Sequence, residues 1–201
     1  KLHGSENREY VKLSAITKNM QNAVVAIEDE RFFIHNGIDM KGIMRAMVEN
    51  VKTMEFSQGA STITQQVIKN EVLTNEKSLT RKIKEQYLAV SLENALEDQL
   101  GSKEAAKKYV LELYLNTIAL HHGLHGVEAA SQYYFGKHAN ELTLAESAMI
   151  AGITKHPSKY APDANEEESR KRQLTVLSKM LDLDMITQEQ HDEAVAEDVY
   201  G

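Results

Sequence analysis

Glu28-Asp29-Glu30 follows directly on the apolar run Ala23-Val24-Val25-Ala26-Ile27, and Arg31-Phe32-Phe33-Ile34-His35-Asn36-Gly37 completes the stretch. Acids are rarely buried without a partner. Burial at the inner end of an apolar run disfavours the charged form of a carboxylate, which suits a general base, and Glu28 is the acid so placed. The same three acids also read as the solvated end of a helix, because perturbed acids occur in structural pairs as well. A second chemical feature lies between Lys69 and Lys84. Lys69, Lys77, Arg81, Lys82 and Lys84 stand there against Glu71 and Glu76, a local balance of +3 in a chain of net charge −7, which leaves −10 for the remainder. A cationic island in an acidic chain suggests a local anionic ligand, although a solvated helix face gives the same pattern. The acidic total argues against nucleic acid as a partner. Finally, His121-His122-Gly123-Leu124-His125-Gly126 gathers three histidines. The usual carboxylate or cysteine companions at ligand spacing are missing, so the spacing gives zinc little support there.

Helical patterns must position these groups. Residues around 20–33 read as one helix, broken at His35-Asn36-Gly37. Asp39 can cap a second helix, in which Met40, Ile43, Met44, Met47, Val48 and Val51 recur at three- and four-residue steps. Periodicity of this kind usually marks a core face, while three methionines on one face also make an adaptable surface for a lipid chain. Phe56–Ala60 is a joint leading into Ser61-Thr62-Ile63-Thr64-Gln65-Gln66-Val67-Ile68-Lys69-Asn70. Ser61 or Thr62 can cap that helix, with Ile63 and Val67 inward and Thr62, Gln65, Gln66 and Lys69 on other faces. Exposed hydroxyls, amides and an ammonium could there bind sugar and phosphate oxygens. Thr74–Thr80 reads as a polar loop.

From Arg81 to Leu100 a long helix is expected, with Ile83, Tyr87, Leu88, Leu92, Ala95 and Leu96 as its inner stripe and Gly101 as its stop. Arg81 and Glu85 share a face near its start, and helix N-termini favour anions, so Arg81 and Lys82 form a candidate phosphate seat. Ser102 caps the next helix, which runs to Asn116. A short helix covers Glu128–Tyr134. Thr143 with Glu146, Asn165 with Glu168, and Thr187 with Gln190 mark three further helix starts. Leu174, Leu177 and Leu181 are expected on the inner side of the second of these. Lys155–Pro162 holds both prolines and reads as a loop. Strand signals are weak, so the expected architecture is mainly α.

The chain has 201 residues, 42% apolar and 26% charged, as a globular protein has. One compact unit, cleft into two lobes, is the economical expectation. Cysteine is absent, which excludes disulfides and thiolate metal sites. No apolar run approaches the ~20 residues that cross a bilayer. The sequence opens at Lys1 with neither signal peptide nor initiating methionine, and an excised domain separated from its anchor is the expectation.

Five stretches, in order, resemble the motifs of the family 51 peptidoglycan glycosyltransferases, the domain shared by class A penicillin-binding proteins and monofunctional glycosyltransferases. They are Glu28-Asp29 with Phe32, His35 and Gly37; Gly59 with Ser61-Thr62-Ile63-Thr64-Gln65-Gln66 and Lys69-Asn70; Arg81-Lys82 with Glu85; Leu111-Glu112 with Tyr114-Leu115-Asn116, then Gly123, Gly126, Ala129-Ala130 and Tyr134-Phe135-Gly136-Lys137; and Ala151-Gly152 through Pro157-Ser158, Tyr160 and Pro162. One short motif is weak evidence, but five in sequence are specific. The motif-bearing core spans about residues 20–195 of a single domain covering 1–201.

The resemblance implies a lysozyme-like glycosyltransferase fold with a large lobe and a small membrane-facing lobe. It implies polymerisation of lipid II into β-1,4 glycan strands, with inversion and release of undecaprenyl pyrophosphate, and sensitivity to moenomycin. Glu28 would be the base and Glu85 the second acid, which orients cations, holds a divalent ion or stabilises developing positive charge. Asp29, Ser61, Gln65, Gln66, Lys69, Asn70, Arg81, Lys82 and Lys155 match substrate-contacting positions. Lys77 stands where some members have arginine and lacks the bidentate fork. No cofactor is implied for the fold, with Mg2+ or Mn2+ on the pyrophosphate as an option. Expected partners are lipid II, the growing glycan and the membrane surface, with a transpeptidase domain in a longer chain. The expected location is the outer face of the bacterial cytoplasmic membrane. The sequence departs from the family at Ala60, His121-His122 and Thr154, the last interrupting a common Gly-Ile-Pro. A lysozyme-like hydrolase would need a proton donor for a sugar leaving group and has no use for the cations. An inactive binding scaffold would be free to lose Glu28 or Glu85, and both are present.

Overall fold

The computed structural model describes residues 7–53, 61–71 and 79–201. Phe56–Ala60, Gly59 within it, and Lys77 lie outside the described residues. In chain order the helices are α1 (Lys18–Glu28), α2 (Met40–Thr53), α3 (Ile63–Glu71), α4 (Leu79–Leu100), α5 (Lys103–Thr117), α6 (Val127–Phe135), α7 (Leu144–Ile153), α8 (Pro157–Tyr160), α9 (Glu166–Asp182) and α10 (Gln188–Ala196). β1 (Asn7–Arg8) pairs in parallel with β2 (Leu124–His125), Asn7 opposite Leu124. The mainly α expectation holds. No helix among the described residues is long and apolar enough to cross a membrane. The chain divides into two compact units, Lys1–Glu30 with Leu115–Gly201, and Arg31–Tyr114.

The first unit is built around α7. Every residue from Ala145 to Ile153 is buried, so this helix has no solvent face, and α1 and α9 pack against it. α1 contributes Met20, Ala23 and Val24; α9 contributes Val176, Leu177 and Met180. The buried stripe of α9 is therefore Gln173, Val176, Leu177 and Met180, with Leu174 and Leu181 only half-buried. Gln173 can sit inside because its amide donates to Ala145 O at 2.8 Å and its carbonyl accepts from Arg170 at 2.6 Å. The starts of α7, α9 and α10 are as expected: Thr143, Asn165 and Thr187 accept from Glu146, Glu168 and Gln190 N–H. Asn116 holds the N-terminal segment by a reciprocal pair with Val11, 2.7 and 2.8 Å. Gly126 beside it has φ +88°, and a Cβ there would lie 2.7 Å from Asn116 O, so no other residue fits.

Buried Glu128 joins α6 to the segment after it. It accepts from Ala139 N–H at 2.7 Å, from Gln132 at 2.9 Å and meets His138 Nδ1 at 2.6 Å. Burial alone would raise the Glu128 pKa, but these hydrogen bonds, His138 first, hold it below its ordinary 4.5. The Glu128 hydrogen bond raises His138 above its ordinary 6.5. The histidine contribution is thus complete below 6.5 and lost as pH rises through its raised value, while the carboxylate contribution is complete above 4.5 and lost as pH falls through its lowered value. Urea denaturation should therefore show His138→Gln losing most, relative to the unmodified chain, near pH 5.5. The difference should shrink by pH 8.5; a difference that grows with pH would contradict this pairing.

In the second unit α3 and α4 pack together. Arg31 and Asp39 hold the entry to α2, with Nε at 3.1 and 2.9 Å and Nη2 at 2.7 Å from the carboxylate. Asp39 also caps Gly42 N–H at 3.1 Å, as expected. Burial opposes ionisation of Asp39, but the Arg31 hydrogen bond and Gly42 N–H keep its pKa low. Gly37 has φ +110°, and a Cβ there would meet Ala89 O at 2.7 Å. This glycine lets the motif-one turn touch α4, and Thr62 Oγ1 donates to its carbonyl at 2.7 Å.

Two expectations about apolar stripes are corrected. α2 does not present a core face, since Met40, Met44, Met47 and Val48 are 55–64% exposed, and Ala46 is the buried side. Of the expected α4 stripe only Leu96 is fully buried; Leu88 and Leu92 are half-buried, Ile83, Tyr87 and Ala95 are exposed, and Glu85, Ala89 and Glu93 take the interior instead. The reason is a buried polar network. Lys107, fully enclosed, lies 2.6 Å from Glu93 Oε1 and 3.1 Å from His35 Nδ1, with its ammonium 4.7 Å from the centre of the Phe32 ring. Thr64 donates to Glu93 Oε2 at 2.7 Å. Pairing and hydrogen bonding let these charges displace apolar side chains from the interior.

Candidate active site

In the first unit, α1 ends on Glu28, earlier than the 20–33 helix expected. Asp29 is the C-cap, its N–H bonded to Val25 O, and its side chain is buried. The Glu28 carboxylate is half-buried and accepts from the hydroxyl of Thr154, which follows the last residue of α7. That hydroxyl also reaches Ala151 O at 2.8 Å. One hydroxyl proton serves two acceptors, so Thr154 suits both protonation states of Glu28. An ionised Glu28 accepts the proton; a protonated Glu28 donates to the Thr154 oxygen while Thr154 turns to Ala151. Glu30, by contrast, is ion-paired with Lys179 of α9 at 3.0 Å, a structural role. Lys155 is exposed beside Thr154.

In the second unit, α3 and α4 assemble most of the remaining candidates. Thr62 caps α3, and the cap is reciprocal: Gln65 N–H donates to Thr62 Oγ1 and Thr62 N–H to Gln65 Oε1, both at 3.0 Å. Thr62 and Gln65 were expected on outward faces, but both are 1% exposed, because capping and the Gly37 contact occupy them. Gln65 Nε2 lies 3.5 Å from Glu85 Oε1. Lys82 spans the same carboxylate oxygen at 3.1 Å and Ser61 Oγ at 2.6 Å. Glu85 is itself buried, and its Oε2 has no hydrogen-bond partner among the described residues. A buried carboxylate oxygen left over in this way is costly unless something meets it. Gln66 accepts from Tyr114 OH at 3.1 Å, Arg81 is half-buried, and Lys69 and Asn70 are exposed at the end of α3.

Ser61, Gln65, Lys82 and Glu85 thus form one connected cluster, with Arg81, Lys69 and Asn70 on the same two helices. Such a cluster can meet an anion with fixed positive charge and orient the lysine through Glu85. Glu28 and Lys155 belong to the first unit. Thr154 counted in the sequence only as a departure from a motif. A polar residue closing the apolar run Ala148–Ile153 was the available signal.

The family described as Transglycosylase matches residues 1–181. Penicillin-binding protein 1A of Neisseria flavescens is 43% identical over 199 residues, 99% of this chain and 24% of that protein. Penicillin-binding protein 1A of Aquifex aeolicus is 45% identical over 192 residues, 96% of this chain and 25% of that protein. The chain therefore spans about a quarter of the length of these relatives. A crystal structure of penicillin-binding protein 1A from Haemophilus influenzae superposes with a TM-score of 0.55 at 28% identity, covering 98% of this chain and 18% of the other. With the motif residues in these positions and a match across nearly all of its length, the chain belongs to the transglycosylase family of peptidoglycan synthesis.

Proposed function

We propose that this chain polymerises lipid II, with Glu28 as general base. The observation that carries this reading is the Ser61–Lys82–Glu85–Gln65 cluster, in which a buried acid with one oxygen unpartnered among the described residues holds Lys82 in place, with Arg81 and Lys69 on the same two helices. Glu28 takes the proton of the acceptor GlcNAc 4-hydroxyl. The new bond forms from that oxygen to the anomeric carbon of the growing chain, while the bond from that carbon to the pyrophosphate oxygen breaks. Attack from the opposite face turns the α linkage into β-1,4. The departing diphosphate carries its own negative charge, so it needs cations rather than a strong proton donor. Lys82, Arg81, Lys69, Lys77 and Lys155 are the residues we assign to it, with Ser61, Gln66 and Asn70 contacting the sugars, while buried Asp29 closes α1 beside Glu28. Gln65, held inside, positions Glu85. Glu85 is the residue that would hold Mg2+ or Mn2+, which would add positive charge to offset the departing diphosphate.

The exposed methionine face of α2 supports a membrane-facing second unit. Met40, Met44 and Met47 are flexible, polarisable side chains on one helical face, and an apolar face of this kind lies well in a lipid interface. In this reading the enzyme works at the outer face of the cytoplasmic membrane, as part of a longer chain with an anchor and a transpeptidase domain. Incubation with labelled lipid II in detergent or vesicles should yield polymeric glycan and undecaprenyl pyrophosphate, and moenomycin should suppress both. Release of free disaccharide without polymer would favour a hydrolase instead.

A further inference from the structure

The three clustered histidines lacked a carboxylate companion in the sequence, but the fold supplies one. Asp163, from the turn between α8 and α9, meets His122 Nε2 across 41 residues, and His121 stands beside them. One ligand atom from each of His121, His122 and Asp163 lies within 4.8 Å of the other two, the sole such group of three among the described residues. All three belong to the first unit. We propose that His121, His122 and Asp163 form a site for one divalent transition-metal ion, Zn2+ by ligand chemistry, which ties the turn after α5 to the turn before α9.

Four features support it. Two imidazoles and a carboxylate are a ligand set that Zn2+ takes, with water in a fourth, open position. A tetrahedral ion at 2.0–2.2 Å from its ligands holds them about 3.3 Å apart; small side-chain rotations bring His121 in and part His122 from Asp163 to that spacing. Asp163 is supported from behind, by Tyr134 OH at 3.3 Å on Oδ1 and Tyr133 OH at 3.4 Å on Oδ2. Ligating carboxylates are oriented by such outer hydrogen bonds. Finally, His122 adopts φ +64°, a conformation that side-chain-bearing residues rarely take. Its ring meets Asp163 and lies 5.3 Å, centre to centre, from the Tyr133 ring.

The test is a Zn2+ titration of the full 201-residue chain against a chromophoric chelator in phosphate-free buffer. One equivalent should bind with micromolar or tighter affinity. His122→Gln and Asp163→Asn should each weaken it at least tenfold, and His191→Gln, on α10, should not. At Zn2+ about a hundredfold above its Kd, the melting midpoint of the unmodified chain should rise by roughly 5–10 °C, and the midpoints of the two site variants should stay still. Matching melting midpoints without metal establish that those variants are folded. Absence of binding up to millimolar Zn2+, or affinity unchanged in folded His122→Gln or Asp163→Asn, would overturn the site.

Discussion

Glu28→Gln should lower lipid II polymerisation by about 1000-fold, the middle of the range for removing a general base, while lipid II still binds. The amide keeps the size and the contact with Thr154 but cannot take the acceptor proton. A companion substitution separates the chemistry from simple packing. Thr154→Val removes the hydroxyl that serves Glu28 and Ala151 while preserving shape. It should reduce kcat several-fold with KM unchanged, and Thr154→Ser should restore it. Polymerisation assays with saturating lipid II measure both. Retained turnover in Glu28→Gln would remove Glu28 as the base; equal losses in the Val and Ser variants would make Thr154 a packing residue only.

The second large effect concerns stability. Lys107→Met should destabilise the chain by about 3–5 kcal/mol, because it leaves the Glu93 carboxylate buried without its ammonium. Lys107 is fully enclosed and Glu93 nearly so, so solvent does not screen their 2.6 Å contact. The double substitution Lys107→Met with Glu93→Leu should recover most of the loss, since apolar replacement of a whole buried pair is often neutral. Denaturant titration of the two single variants and the double variant gives the coupling directly. Additive losses in the double variant would mean the pair is not coupled. Thr64 and His35, which lie in motifs two and one, share this network. The single variant should therefore lose activity as well as stability.

Local signals were legible in the sequence. Thr143, Asn165, Thr187 and Asp39 cap helices because a hydroxyl, amide or carboxylate stands three residues before the N–H it meets. The motif order singles out Glu28, Glu85 and the nearby cations as candidates without assigning their roles. Burial was not legible where it depends on partners far along the chain. Glu93 lies 29 residues from Thr64, and Lys107 lies 72 from His35. Those pairings drew Glu93 of α4 inward and left Ile83 and Tyr87 of its expected stripe exposed, while Leu96 is buried as expected. Period alone cannot reveal this, because it marks a face without saying what covers it. The methionine face of α2 failed as a core face for the same reason. Asp163 was invisible as a companion to His122 because 41 residues of helix and loop separate them.

The most direct measurement is a structure of this chain with a non-hydrolysable lipid II analogue that carries an intact acceptor sugar. The Glu28 carboxylate should lie within about 3 Å of the acceptor 4-hydroxyl, with the pyrophosphate in contact with Lys82 and Arg81. A Glu28 carboxylate directed away from both sugars, or a diphosphate seated clear of the α3 and α4 cations, would contradict it.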